Sequence, residues 1–174
     1  MNNLYLIGYR GVGKSTLAPL LAGKCGWSVV EMDDLIQAKE KATIAEIFAR
    51  LGEAGFRDLE TQMLQEVASQ SNQVISTGGG IILREDNRYL MRTTGTVAWL
   101  QASAETILER LTDDASRQNT QRPALTTLPL REEIAKLVDE RSVLYAATSH
   151  FSVDTETHKL TEVVGIILKH LNRE

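Results

Sequence analysis

A glycine-rich stretch near the N-terminus has the residue types and the spacing of a phosphate-binding loop. Residues 8–15 read Gly-Tyr-Arg-Gly-Val-Gly-Lys-Ser, which fits the pattern G-x-x-x-x-G-K-[ST]. Glycines permit backbone conformations that turn successive N–H groups toward an anion. Lys14 can reach the terminal phosphates of a nucleotide, and Ser15 can place its hydroxyl on Mg²⁺. The stretch therefore predicts binding of a nucleoside triphosphate.

The elements on either side of this loop are those that the loop needs. Residues 4–7 are apolar and predict a short buried strand, and residues 16–22 predict a helix. The amino end of that helix would add unpaired N–H groups and a positive dipole to the site. The alternative is a chance glycine turn, which the presence of both flanking elements disfavours.

Two arginines lie at positions where a positive charge is unfavourable unless an anion is nearby. Arg141 falls on the apolar face of a helix predicted over 130–147, where a buried guanidinium needs an anionic partner. The alternative is a stem that lies along the surface with its head in water. Residues 43–46 fit a capping box, which predicts a short helix that ends near Gly52, and a longer helix is predicted over 53–69. Arg57 lies near the positive end of this longer helix. A bound carboxylate could compensate for its charge, and so could a pair with Asp58, Glu60 or Glu53.

Further candidates follow the predicted strands over 27–32 and 73–77. Glu31 and Asp33 end the first of these, and either Asp33 or Asp34 could cap the next helix. A carboxylate beside a phosphate loop could equally serve Mg²⁺ or an attacking hydroxyl. Residues 78–80 are three glycines, which allow a ligand to approach the backbone closely or allow a sharp turn.

A polar segment over 112–121 ends at Arg122 and suggests a lid that closes over phosphates, with a solvated loop as the alternative. Arg110 is expected at the end of the preceding helix, where it could stabilise the helix terminus.

Composition limits the classes of protein that need considering. A chain of 174 residues suggests one domain, and its net charge of −4 gives no support for a nucleic-acid partner. The single Cys25 excludes an internal disulfide and a cysteine metal cluster. No apolar run is long enough to span a membrane, and the N-terminus leaves no room for a signal peptide, so we expect a cytoplasmic protein. Strands alternate with helices, which predicts an α/β fold with a mostly parallel sheet.

Taken together, the motifs resemble those of shikimate kinases over essentially the whole chain. The resemblance depends on the phosphate loop and on five further stretches in order, which are Phe56-Arg57-x-x-Glu60, Thr77-Gly78-Gly79-Gly80, Arg122-Pro123-x-Leu125, Glu140-Arg141-x-x-Leu144-Tyr145 and Val153-Asp154-Thr155.

This resemblance implies a three-layer α/β/α fold similar to nucleoside monophosphate kinases, with five parallel strands. It implies one kinase domain over 1–174, with a substrate-binding region at about 32–60 and a lid at about 112–125. The implied reaction transfers the γ-phosphate of ATP to the 3-hydroxyl of shikimate, in aromatic amino-acid biosynthesis. We expect a monomer whose partners are these two small molecules.

The resemblance also implies roles for individual residues. ATP would be held by Gly11, Val12, Gly13, Lys14, Ser15, Thr16, Arg110 and Arg122. Mg²⁺ would be held by Ser15 and Glu31. Shikimate would be bound by Asp33, Arg57, Gly78, Gly79, Gly80 and Arg141. Catalysis would rest on Lys14, Asp33 and Arg122.

The chain departs from the family pattern at two places. Glu31 stands where the family usually has an aspartate, and Glu156, Thr157 and His158 follow Thr155 where the family often has an arginine that stacks on adenine. Other acceptors also remain open, since two arginines suit any small carboxylate, gluconate included. A non-catalytic ATP-binding module is the alternative from another class.

Overall fold

The computed structural model describes residues 3–117 and 128–171, and these form a five-stranded parallel sheet between helices. The strands are β1 (Asn3–Ile7), β2 (Ser28–Glu31), β3 (Gln73–Ser76), β4 (Thr96–Gln101) and β5 (Phe151–Asp154). Their order across the sheet is β2-β3-β1-β4-β5, and all neighbours are parallel. The predicted fold class is confirmed, and each predicted strand lies within one or two residues of its observed position.

Seven α-helices and one 3₁₀ turn are found among the described residues. They are α1 (Lys14–Cys25), α2 (Met32–Glu40), α3 (Ile44–Ala68), the 3₁₀ turn (Ile81–Leu83), α4 (Glu85–Thr94), α5 (Ala104–Arg117), α6 (Leu130–Thr148) and α7 (Leu160–Leu171). Among the same residues, no helix combines the length and the apolar character that crossing a membrane requires.

The two hydrophobic cores lie on opposite faces of the sheet because side chains alternate along each strand. Leu4 and Leu6 of β1 point into the core that α1 and α7 cover. Tyr5 and Ile7 point into the core that α2, α3 and α4 cover. Strands buried on both faces are typical of parallel sheets, which explains the continuous apolar run of β1.

A break inside α3 matches the prediction of two successive helices in this region. Thr43 and Glu46 form a reciprocal capping box at the start of α3. Gly52 has φ 67° and ψ −176°, which interrupts the helical path between the predicted short and long helices. The second part of α3 therefore takes its own direction and carries Arg57 toward the sheet.

Helix α5 is longer than the sequence predicted. It continues to Arg117 instead of ending near Leu111, so the start of the predicted polar segment is helical. Arg110 consequently lies inside the helix, and the prediction that it stabilises the helix terminus is wrong. The periodic apolar residues of α5 end before the helix itself does, which is why the sequence placed the end too early.

The topology opens a crevice at the carboxyl ends of the central strands. The chain leaves β1 for β2 on one side of the sheet, whereas β3 crosses to β4 on the other side of β1. Ligands of open α/β sheets bind where the direction of the connections changes in this way. The phosphate loop follows β1 and the three glycines follow β3, so both border this crevice.

Candidate active site

The loop of residues 8–15 forms a concave backbone surface at the end of β1. Gly8 has φ +140° and is the position where only glycine fits, because a Cβ there would come within 2.5 Å of the Leu100 carbonyl oxygen. Gly13 is the N-cap of α1, has φ +95°, and offers no side-chain cap. The first N–H groups of α1 are therefore left for a ligand, as in other anion sites at helix N-termini.

Lys14 lies within this loop. Its Nζ donates hydrogen bonds of 2.8 Å to the carbonyl oxygens of Gly8 and Tyr9. The ammonium is thereby held over the concave side of the loop. The side chain of Val12 packs in the hydrophobic core, so only its backbone contributes to the loop surface, while Thr16 is exposed at the start of α1.

Oxygen ligands gather at the base of the loop. Ser15 Oγ donates to Glu31 Oε2 at 3.0 Å and lies 3.5 Å from Ser76 Oγ. Glu31 is itself the N-cap of α2, with extended backbone angles, so the expectation that Asp33 or Asp34 caps this helix is wrong. The two aspartates occupy the first helical turn, where negative charge is favoured by the helix dipole.

Arg110 bridges the phosphate loop and the end of β5. Its two terminal nitrogens donate to Thr155 Oγ1 at 3.0 Å and to the Thr155 carbonyl oxygen at 2.8 Å, and one of them lies 3.4 Å from the Gly11 carbonyl oxygen. The Arg110 guanidinium is therefore held by Thr155, which directly follows β5, and not by the carboxyl end of α5.

A pocket opens beside the loop. It is lined by all six residues for which the sequence suggested a substrate-binding role, namely Asp33, Arg57, Gly78, Gly79, Gly80 and Arg141. Phe48 and Phe56 form part of its apolar wall, with ring centroids 4.4 Å apart. The structure therefore brings together residues from four other segments of the chain next to the phosphate loop.

Arg57 enters the pocket from α3 and is only 8% exposed. It forms an ion pair with Glu60, which is 1% exposed, and a longer contact of 3.4 Å with Glu53. Burial raises the pKa of the Glu60 carboxyl, and the Arg57 guanidinium opposes that rise. A Cβ on Gly80 would fall on the Arg57 guanidinium, so glycine at this position is what allows the close approach.

Arg141 enters the same pocket from α6 and is 7% exposed, so the alternative of a surface stem with its head in water is wrong. Its Nη1 donates to the Gly79 carbonyl oxygen at 3.3 Å, and the hydroxyl of Tyr145 donates to the same oxygen at 2.6 Å. Burial raises the pKa of the Tyr145 phenol, which keeps it a donor. No carboxylate of residues 3–117 or 128–171 lies within ion-pair distance of Arg141.

Sequence reasoning missed several residues of this site. Tyr9, Arg10 and Ile44 also line the pocket, and Arg10 forms an ion pair with Glu133 at 2.8 Å. A usable signal existed in α6, because residues 133, 137, 141 and 145 recur every four positions and share one helical face. The same spacing that singled out Arg141 applies to Glu133.

Two further sequence predictions concern the nucleotide end. Arg122 lies outside the described residues. His158 is exposed, with Nδ1 3.2 Å from Thr157 Oγ1, in a turn that Asp154 organises by accepting from the backbone nitrogen of Glu156. No group of three His, Cys, Asp or Glu side chains that could hold a metal ion occurs within the described part of the chain.

A glycine-rich phosphate loop at the end of β1, beside an arginine-lined pocket on a five-stranded parallel sheet, defines a P-loop kinase of the nucleoside-monophosphate-kinase type. Comparison with known proteins narrows this class. A family model described as shikimate kinase matches residues 10–172. The chain belongs to the shikimate kinase family.

Individual relatives agree with this assignment. The chain is 41% identical to the shikimate kinase of Rhodopirellula baltica over 167 residues, which is 96% of this chain and 89% of that one. It is 40% identical to shikimate kinase 2 of Sodalis glossinidius, over 97% of this chain and 95% of the relative. The shikimate kinase of Acinetobacter baumannii in complex with shikimate superposes with a TM-score of 0.90 at 32% identity, covering 99% and 94% of the two chains.

A more distant solved structure shares the fold alone. A gluconokinase from Sinorhizobium meliloti superposes with a TM-score of 0.58 at 18% identity, covering 99% of this chain and 92% of the other. Likeness at this level carries no information on the acceptor, which has to be argued from the pocket.

Proposed function

We propose that this protein transfers the γ-phosphate of ATP to the 3-hydroxyl of shikimate, giving shikimate 3-phosphate. One observation carries the proposal beyond family membership. The Arg57 guanidinium, from α3, lies against Gly80, and Arg141, from α6, donates to the carbonyl oxygen of Gly79. Both arginines line a pocket that adjoins the phosphate loop. A small anionic alcohol bound there would face the phosphates of a nucleotide held by the loop.

The charges of the pocket favour an acceptor that carries one carboxylate. Arg57 pairs directly with Glu60, whereas Arg141 has no carboxylate of the described residues within ion-pair distance and is attracted to Glu60 only at longer range. A buried cation without a directly bound anion is costly, and a guanidinium binds a carboxylate in a directional, two-pronged way. A bound carboxylate would therefore give Arg141 a direct anionic partner and would also contact Arg57.

The remaining roles follow from phosphoryl-transfer chemistry, in which the protein mainly positions groups and neutralises charge. Asp33 would orient the acceptor hydroxyl and take its proton. Lys14 would move from the Gly8 and Tyr9 carbonyls to the phosphates, and Arg122 would contribute from a lid at about 112–125. With a substrate-binding region at about 32–60, these parts would make up a single kinase domain over 1–174.

The base of the loop fits a magnesium ion. Ser15 Oγ lies within hydrogen-bond distance of Glu31 Oε2 and of Ser76 Oγ, and all three are hard oxygen ligands. Mg²⁺ in kinases is held by few protein groups together with phosphates. We propose that Ser15 and Glu31 hold it, although Glu31 replaces the usual aspartate. When bound, the ion would neutralise charge on the phosphates. Arg110 would lie near the adenine, since it spans from Gly11 to Thr155.

The deciding experiment measures ADP release with Mg-ATP and a panel of acceptors: shikimate, gluconate and nucleoside monophosphates. We expect turnover with shikimate. Turnover with gluconate alone would reject shikimate as the acceptor. Binding of ATP without turnover on any acceptor would favour the non-catalytic module.

We also propose that the protein acts as a cytoplasmic monomer. Its one cysteine, Cys25, suits a reducing compartment, and burial raises the pKa of the thiol, which lowers its reactivity. Light scattering after size-exclusion chromatography tests the oligomeric state, and a mass of twice 19.3 kDa would contradict this part of the proposal.

A further inference from the structure

Buried polar atoms without a hydrogen-bond partner concentrate at the acceptor pocket. Within the described ranges, these side-chain atoms are Tyr9 Oη, Arg10 Nε, Arg57 Nε and Asn87 Oδ1. The first three belong to residues that line the pocket, and all three can donate. A buried donor without an acceptor is destabilising, so three of them at one pocket point to a ligand rich in oxygen atoms.

Arg57 and Arg141 form what we call the carboxylate clamp, because both are proposed to bind the carboxylate of the acceptor. Arg10 lines the same pocket but has no role in this clamp. It belongs to the phosphate loop, between Gly8 and Gly11, and yet it lines the acceptor pocket. Its Nη2 lies 2.8 Å from Glu133 Oε1, and the two side chains are only 16% and 1% exposed. One terminal nitrogen is thus committed to Glu133, and the guanidinium also interacts with the Tyr9 hydroxyl, while Nε has no hydrogen-bond acceptor among the described residues.

Glu133 fixes the guanidinium of Arg10 relative to Arg141. Both Glu133 and Arg141 belong to α6 and lie on the same helical face, eight residues apart. At 1.5 Å per residue this is about 12 Å along the helix axis. Because α6 is continuous between them, the Arg10–Glu133 ion pair connects the phosphate loop to the helix that carries Arg141.

The pairing also decides which kind of group Arg10 can bind. Its charge is balanced by a buried carboxylate, in contrast to Arg141, which has none among the described residues. A second anionic group next to Arg10 would therefore crowd Glu133. A neutral hydroxyl oxygen would accept from Nε without that repulsion and would still form a charge-assisted hydrogen bond.

We propose that Arg10 is an acceptor-binding residue whose Nε donates to a hydroxyl oxygen of the bound acceptor, and that Glu133 is the positioning residue that holds it. The inference rests on the proposed function, since it assumes a polyhydroxylated carboxylate in this pocket. Arg10 would thus be a third arginine of the pocket, which binds a hydroxyl of the acceptor while the carboxylate clamp binds its carboxylate.

Two variants of Arg10 test this in complementary ways. Arg10→Lys keeps a cation beside Glu133 and removes Nε. The double variant R10M/E133Q removes both charges, so that no buried carboxylate is left unpaired. We expect each variant to weaken shikimate binding about ten- to hundredfold, the range for one hydrogen bond from a charged donor, while ATP affinity changes less than about threefold.

The matched control is R131M/E105Q, which removes an exposed ion pair between the same helix and α5. We expect it to leave the affinities for shikimate and for ATP unchanged. For Glu133, we expect E133Q to raise the KM for shikimate with no change in the KM for ATP. In the R10M background, E133Q should have no further effect on shikimate affinity.

A second axis of the test uses the 4-deoxy and 5-deoxy analogues of shikimate. If Nε binds one of these hydroxyls, the loss caused by Arg10→Lys should disappear for the analogue that lacks it. The same loss with both analogues and shikimate would show that Arg10 does not bind either hydroxyl and would overturn the proposal.

The remaining outcomes distinguish a failure of this inference from a failure of the proposed function. If the unmodified protein binds shikimate and Arg10→Lys binds it as tightly, the inference fails and the proposed function stands. Equal weakening of ATP and shikimate would mean that Arg10 only shapes the loop, which again overturns the inference. If the unmodified protein neither binds nor phosphorylates shikimate, the proposed function fails and the inference with it.

Discussion

The phosphate loop and the acceptor pocket lie side by side, yet they are built from different groups. The loop is made of backbone from one continuous stretch, and its lysine is held by two carbonyl oxygens of that same stretch. The pocket is made of charged side chains from separate segments, and two of its arginines are held by buried carboxylates. The loop therefore depends on local conformation, and the pocket depends on packing between distant elements.

This difference predicts how each region responds to change. A substitution in the loop should affect the nucleotide and the chemical step and leave the acceptor affinity intact, except at Arg10, whose side chain lines the pocket. A substitution in the pocket should do the opposite, and where a buried ion pair is broken it should also affect folding.

The largest effect is expected for Lys14→Met. Loss of the ammonium removes charge stabilisation from the transferring phosphoryl group, so kcat should fall by about 10²- to 10³-fold. The affinity for shikimate, measured by calorimetry without nucleotide, should stay within about twofold. Lys24→Met, an exposed lysine of the same helix, is the control and should behave as the unmodified protein. A matching loss of shikimate affinity in Lys14→Met would contradict the separation of the two regions.

The next effect is expected for Arg141→Met. The substitution keeps the apolar stem and removes a buried cation that no described carboxylate contacts directly. Shikimate affinity should fall by about ten- to hundredfold, with ATP affinity nearly unchanged. Arg131→Met, an exposed position of α6, serves as the control. Parallel losses for shikimate and ATP would mean that Arg141 holds α6 in place and does not bind the acceptor.

A smaller effect should separate two neighbouring glycines. In Gly80→Ala the new Cβ would displace the Arg57 guanidinium from Glu60, whereas in Gly79→Ala the nearest atom lies 3.5 Å away, an ordinary contact. We expect Gly80→Ala to lower the free energy of unfolding by about 1–3 kcal/mol, the cost of a buried charged hydrogen bond. Gly79→Ala should lower it by much less. Urea denaturation of the unliganded proteins measures both, and equal stabilities would show that Arg57 is not confined as described.

The smallest effect concerns the turn that holds Thr155 beside Arg110. Asp154 accepts from the backbone nitrogen of Glu156 at 2.7 Å and from Thr157 Oγ1 at 2.7 Å. These bonds lower the pKa of the Asp154 carboxyl, the backbone bond being the larger cause. Asp154→Ala should cost about 1 kcal/mol of stability near pH 7.

The sign of the pH dependence follows from the lowered pKa. The stabilisation by Asp154 is fully present above the ordinary aspartate pKa of about 3.9 and is lost as pH falls through the lowered value in the folded protein. The difference in Tm between the unmodified protein and Asp154→Ala should therefore be constant from pH 8 to about pH 5 and shrink below about pH 4. A difference that grows on acidification would contradict this reasoning.

Much of the fold could be predicted from the sequence because its causes are local. The short apolar runs of the strands, the capping box at Thr43 and the break at Gly52 each lie within a few residues of chain. The errors occurred where a local rule had two outcomes. Glu31 took the cap position that Asp33 or Asp34 could have filled, and α5 continued past its last apolar turn.

The candidate site divides in the same way. The phosphate loop could be predicted from the sequence alone, because backbone torsions allowed by glycine, followed by Lys14 and Ser15, need no distant partner. The sequence also singled out Arg57 and Arg141 as cations that favour an anionic partner. Their meeting in one pocket, the pairing of Arg57 with Glu60 and the pairing of Arg10 with Glu133 are visible only in the folded chain. Such pairings join residues up to 123 positions apart, and their energy comes from burial that no local pattern encodes.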